Sequence, residues 1–215
     1  MQIIPAILTD DLAEFQSLEK EARGMVNRIQ IDVIDNKFAP NTTIDPLTLK
    51  NLIANLNLDF HLMVKDPVEW ISHCILQKEN RIIGQIEFMP SQANFVHSVI
   101  SAGCLPGLAV DLPTSLAKLD QEILPQVAVV LLMSVPAGWD HQQFSLDVWA
   151  KIEKLVKLRS ELGLNFKICI DGGVTRELVT HMAEEGVDEV AVGKRIFTQS
   201  LKENLHLFLE GNTHG

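Results

Sequence analysis

Two rhythms alternate along the chain: short apolar runs rich in β-branched residues, and longer segments with apolar positions three or four apart. The short runs predict strands over Ile3–Leu8, Arg28–Ile34, Leu58–Val64, Arg81–Phe88, Leu105–Val110, Val127–Val135, Phe166–Ile170 and Asp188–Val192. The intervening segments read as crossover helices, the pattern of a parallel sheet. Thr9-Asp10-Asp11 offers N-cap and first-turn chemistry for the first helix, and Pro67, Ser91, Ser145 and Thr175 open others. A helix is also expected after the long loop through Pro40 to Pro46, running to about Leu56. A short one is expected around Leu116–Leu124, and the last runs to about Leu209, followed by a frayed tail. Val127–Val135 is almost continuously apolar, as a strand buried on both faces should be.

Eight such units with no linker or charge block between them predict one (β/α)8 TIM barrel domain over residues 1–215, with a doubly wound open sheet as the alternative. Apolar residues make up 47% and charged residues 21%, an ordinary soluble composition. The net charge of −10 argues against a nucleic-acid surface. An anionic substrate is still compatible, because local charge in a pocket can oppose the overall sign. Cys74, Cys104 and Cys169 form no C-x-x-C pair and read as reduced thiols. The longest apolar stretch, Val127–Met133, is too short to span a bilayer. The N-terminus lacks the basic region of a signal peptide. The expectation is a soluble cytoplasmic protein with neither a nucleic-acid nor a membrane partner.

In such a barrel the active site lies at the C-terminal ends of the strands. Side chains alternate along a strand, so Gln30 and Asp32 share one face near the end of the second. His61 stands near the end of the third and Asp171 at the end of the seventh. Alone, each reads as a loop cap or a satisfied core residue. Together, four polar side chains converge on one rim, and two costly buried carboxylates with a histidine suggest a metal or a substrate between them.

The stretch Gln30-Ile31-Asp32-Val33-Ile34-Asp35-Asn36-Lys37-Phe38-Ala39-Pro40-Asn41 resembles the second-strand motif of ribulose-phosphate 3-epimerases. His61-Leu62-Met63-Val64 is similar to the third-strand motif, and Met133-Ser134-Val135-Pro136-Ala137-Gly138 to the sixth. Ile170-Asp171-Gly172-Gly173-Val174 resembles the seventh, and Gly193-Lys194-Arg195-Ile196-Phe197 the eighth. The resemblance runs in order from Pro5 to Phe197 and implies a barrel of the ribulose-phosphate-binding type.

It also implies an isomerase of carbohydrate metabolism that inverts a hydroxyl-bearing carbon of a pentulose phosphate. Asp32 and Asp171 would be the catalytic acid–base pair. A divalent metal (zinc, manganese, iron or magnesium) would be held by Asp32, His61 and Asp171, with Gln30 as a weaker fourth donor. Met63 and Met133 would line the substrate pocket. Gly172, Gly173, Gly193 and Lys194 would serve a small phosphorylated sugar, and the assembly implied is a homo-oligomer.

The departures from the family pattern are specific. Gln30 replaces a histidine ligand and offers a neutral amide oxygen, a poor partner for zinc but tolerable for a harder ion. Ala6 stands for a serine, Ile34 for a pocket methionine and Asn36 for a glycine. Asp140 and His141 replace two glycines of the phosphate loop. Lys194 and Arg195 restore positive charge if they face the pocket, and are solvated first-turn residues of the last helix if they do not. Glu87, at the end of the fourth strand, is a pocket-lining candidate. The alternative to an active epimerase is an impaired barrel that binds or senses a sugar phosphate. A decarboxylase or aldol-type relative is disfavoured, because Asp32-Val33-Ile34-Asp35 lacks the lysine of the Asp-x-Lys-x-x-Asp motif.

Overall fold

The computed structural model describes residues 1–50, 52–53, 55–77, 79–139 and 142–210. Eight parallel strands close on themselves: β1 (Gln2–Ile7), β2 (Arg28–Ile34), β3 (Asn57–Met63), β4 (Arg81–Gln85), β5 (Leu105–Val110), β6 (Val129–Met133), β7 (Lys167–Asp171) and β8 (Glu189–Val192). Closure comes from β1 pairing with β8, with Ile3 opposite Val190, which removes the open-sheet alternative.

Among the described residues six helices flank the barrel: α1 (Leu12–Ala22), α2 (Pro67–Cys74), α3 (Gln92–Ser101), α4 (Trp149–Glu161), α5 (Arg176–Glu184) and α6 (Leu201–Glu210). Their starts follow local chemistry. The Asp11 carboxylate accepts from Ala13 N and that of Asp66 from Val68 N, while the Ser91 hydroxyl accepts from Asn94 N, each satisfying an otherwise unpaired amide of a first turn. Among the described residues no helix is long and apolar enough to cross a membrane.

Several expected elements are shorter. The helix expected to reach Leu56 is a single 3₁₀ turn, Pro46–Leu49, and Asn55 beyond it has φ +61°, a left-handed conformation that no helix continues through. The helix expected over Leu116–Leu124 is two 3₁₀ turns, Leu116–Lys118 and Leu124–Gln126, the second opened by Leu124-Pro125. β4 stops at Gln85 instead of Phe88, so Glu87 lies beyond the strand. Lys194 and Arg195 belong to a separate 3₁₀ turn, Lys194–Phe197, not to α6.

Alternation along the strands divides the core into two layers. Ile31, Leu62, Leu108, Leu132 and Ile170 pack outward under the helices. Ile34, Met63, Ile83, Leu131, Met133 and Cys169 belong to a second, inner cluster that fills the barrel. Towards the N-terminal end of the strands the lumen is polar but paired. Arg28 and Arg81 both bind the Asp59 carboxylate, and Arg81 Nη1 lies 2.7 Å from Glu189 Oε2. Two cations and two anions, all largely buried, therefore offset one another.

Candidate active site

The inward faces of β2 and β3 carry polar residues from this layer up to the mouth: Gln30 and Asp32 on β2, Asp59 and His61 on β3. Asp32 lies beside His61 in the parallel register. Opposite them, Asp171 ends β7 next to Met133 of β6. The backbone at both aspartates is anchored: Thr43 Oγ1 donates to Asp32 O at 2.7 Å, and Ser134 Oγ donates to Asp171 O at 2.9 Å.

Asp32, Asp171, His61 and Gln30 meet in one buried knot. The Gln30 amide nitrogen donates to Asp32 Oδ1 at 2.9 Å and to Asp171 Oδ2 at 2.6 Å. His61 Nδ1 lies 3.1 Å from Asp32 Oδ1 and 3.5 Å from Asp171 Oδ2. Burial opposes charge on His61, but bonds to Asp171 and Asp32 and their charges outweigh it, holding the imidazole's pKa at about 9. Burial raises the Asp32 carboxyl above its ordinary value against the pull of His61, and the neighbouring Asp171 adds to that rise. Gln30 Oε1 is buried without a hydrogen-bond partner among the described residues.

These groups also suit a divalent cation. Asp32, His61 and Asp171 each offer a ligand atom, and the three atoms lie within 4.8 Å of one another. The unpartnered Gln30 oxygen is a fourth donor in the same knot once its amide turns over, giving three oxygens and one nitrogen.

Above the knot opens a cleft of about 290 Å³. Asp32 and Asp171 form part of its floor, and Met63 and Met133 part of its wall. His61 and Gln30 are wholly buried. Gly172, Gly173, Gly193 and Lys194 border the same cleft, as does Arg195. Gly172 and Gly173 have φ of +109° and +59°, and a Cβ on Gly173 would stand 2.4 Å from Phe144 N. The Arg195 guanidinium donates to Val174 O at 2.9 Å while remaining exposed at the rim. Asn36 has φ +58°, a conformation asparagine tolerates where a glycine would otherwise be used. Asp140 and His141 lie outside the described residues, as does the tail after Glu210.

Sequence reasoning missed Gln85, which is buried behind His61. Its one signal was a glutamine inside the apolar run Arg81-Ile82-Ile83-Gly84-Gln85. Glu87, expected to line the cleft, instead accepts from Asp111 N at 2.9 Å and faces Gln85. Asp35 secures the mouth from below, accepting from Phe38 N and Lys65 N, and these bonds hold its carboxyl below the ordinary range against partial burial.

Comparison with known proteins finds the model of the ribulose-phosphate 3 epimerase family matching residues 2–197. A ribulose-phosphate 3-epimerase of Treponema pallidum is 29% identical over 94% of each chain. That of Escherichia coli K12 is 31% identical over 92% of this chain and 89% of its own. A phosphoribosyl anthranilate isomerase structure from Thermus thermophilus superposes with a TM-score of 0.62 at 12% identity, covering 99% of this chain and 98% of that one, which is a likeness of fold.

Proposed function

The chain belongs to the ribulose-phosphate 3-epimerase family, and on that footing we propose that it is a pentulose-phosphate 3-epimerase working through Asp32 and Asp171. The observation that carries the reading is the convergence of both carboxylates, within hydrogen-bonding reach of one amide group, at the floor of an open cleft. A cleft of about 290 Å³ fits a small phosphorylated sugar better than a dinucleotide.

One carboxylate takes the proton from the carbon beside the ketone, and the acid form of the other returns a proton to the opposite face. Burial raises the Asp32 carboxyl above its ordinary value, the direction that suits a group exchanging a proton with the substrate. Met63 and Met133 keep water from the reacting carbon. Gly172 and Gly173 let backbone amides approach the phosphate, with Lys194 and Arg195 supplying positive charge at the rim.

Asp32, His61, Asp171 and a rotated Gln30 would hold a divalent cation. Such a cation, when bound, offsets negative charge developing on the substrate oxygens. The oxygen-rich donor set favours manganese or magnesium over zinc.

A second reading, a sugar-phosphate binding or regulatory barrel, is favoured by Gln30, whose amide already satisfies both carboxylates with no cation. The test is conversion of ribulose 5-phosphate to xylulose 5-phosphate by chelator-treated protein resupplied with Mn²⁺, alongside Asp32→Asn and Asp171→Asn. The native protein should turn over, and each variant should lose about 10²-fold or more while remaining folded by circular dichroism. Near-normal turnover in either variant overturns the two-carboxylate mechanism. Binding without turnover in the native protein favours the second reading.

A further inference from the structure

His61 is held from behind by a chain of groups whose polarity is fixed. Its Nε2 lies 3.1 Å from the Gln85 side-chain amide. The other end of that amide faces Glu87 Oε2 at 2.7 Å and the Ala109 carbonyl oxygen at 3.3 Å. A backbone carbonyl can only accept, and an ionised carboxylate likewise. The Gln85 NH₂ must therefore point at Ala109 and Glu87, which leaves Gln85 Oε1, an acceptor, facing His61 Nε2. Only a protonated Nε2 satisfies it.

Glu87 cannot easily turn away to release this constraint. Its Oε1 accepts from Asp111 N at 2.9 Å, and Asp111 Oδ1 in turn accepts from Ala137 N at 2.8 Å. Lys151 Nζ donates to Asp111 O at 2.7 Å, tying the same corner to α4. Gln85 is completely buried, so water does not offer it another partner.

We propose that Gln85, oriented by Ala109 and Glu87, is a positioning residue that fixes His61 with its proton on Nε2. Nδ1 then faces Asp32 and Asp171, the side on which a divalent cation would be held. The alternative neutral form, with the proton on Nδ1 and Nε2 bare, would be favoured by the two carboxylates alone, and its lone pair would face Gln85, away from any cation held by Asp32 and Asp171. Gln85 excludes it. This deepens the reading above and rests on it for the cation, though not for the ring proton.

The test uses histidine-labelled full-length protein and ¹⁵N–¹H correlation spectra of the His61 ring, without metal above the ring's pKa of about 9, where the neutral form is read, and during zinc titration near neutral pH. Native protein should show an exchange-protected proton on Nε2 throughout, with zinc perturbing Nδ1. Gln85→Met, close in volume, should lose that protection and weaken zinc binding by roughly 10- to 100-fold, the usual cost of removing a partner behind a ligating histidine. Glu87→Gln, which leaves the Ala109 carbonyl in place, should show a smaller loss of the same kind. Native protein with no proton on Nε2 overturns the proposal. So does a Gln85→Met protein whose ring spectrum and zinc affinity are unchanged. If native protein binds neither zinc nor Mn²⁺ at millimolar concentration, the cation reading fails, and the metal-free spectrum of the neutral ring still decides the ring proton.

Discussion

Gln30 stands between two carboxylates, and replacing it with leucine measures what holds them together. The amide donates one hydrogen bond to Asp32 and one to Asp171. Hydrogen bonds to charged groups contribute roughly 1.5–3 kcal/mol each, so removing both costs roughly 3–6 kcal/mol. Against this, leucine also removes Gln30 Oε1, whose buried, unpartnered state costs roughly 1–3 kcal/mol. The central values, about 4.5 and about 2 kcal/mol, leave an expected net loss of about 2.5 kcal/mol. Urea unfolding of chelator-treated protein near neutral pH reads it directly. Gln30→Glu sharpens the test, because a third carboxylate in the knot should destabilise metal-free protein further and be rescued by Mn²⁺. A leucine variant within about 0.5 kcal/mol of native would mean that the amide does not join the carboxylates, and the account of the metal-free site would fail.

Two further outcomes follow from the same geometry. The His61 imidazolium, with its pKa raised to about 9, contributes stability that is fully present below about pH 6.5 and lost as pH rises through 9. In metal-free protein this is on the order of 3 kcal/mol. Urea midpoints across that window should fall in native protein and stay flatter in His61→Gln, and a native curve as flat as the variant's would contradict the assignment. Gly173→Ala places a Cβ against Phe144 N in a left-handed conformation. It should raise KM for ribulose 5-phosphate more than it lowers kcat, and cost about 1–2 kcal/mol of stability from the backbone alone, readable by steady-state kinetics and thermal unfolding.

The barrel was legible because eight short apolar, β-branched runs alternate with segments of helical period, and side-chain alternation within a strand put Gln30 and Asp32 on one face. Asp171 was legible as the end of an apolar run followed by two glycines. Helices were read less well where their hydrogen bonding is local and short. The turns at Pro46–Leu49 and Leu116–Lys118 carry a helical start signal, but the backbone leaves the helical path after one turn, at Lys50 (ψ 125°) and Leu119 (ψ 128°). Gln85 and the inward turn of Glu87 were not legible, because their role comes from Ala109 and Asp111 on a neighbouring strand and the loop beyond it. Gln30 was read as a lost ligand. Its second property, donation to both carboxylates, appears only once β2 and β7 face each other across the lumen.

The most direct measurement is ribulose 5-phosphate turnover in D₂O with Mn²⁺-supplied native protein, followed by analysis of carbon 3 in the xylulose 5-phosphate formed. Two carboxylates removing a proton from one face and returning one to the other predict solvent deuterium at the inverted carbon, lost with turnover in Asp32→Asn and Asp171→Asn. Product whose carbon 3 retains its original hydrogen, or no product from native protein that binds the sugar, would contradict the account.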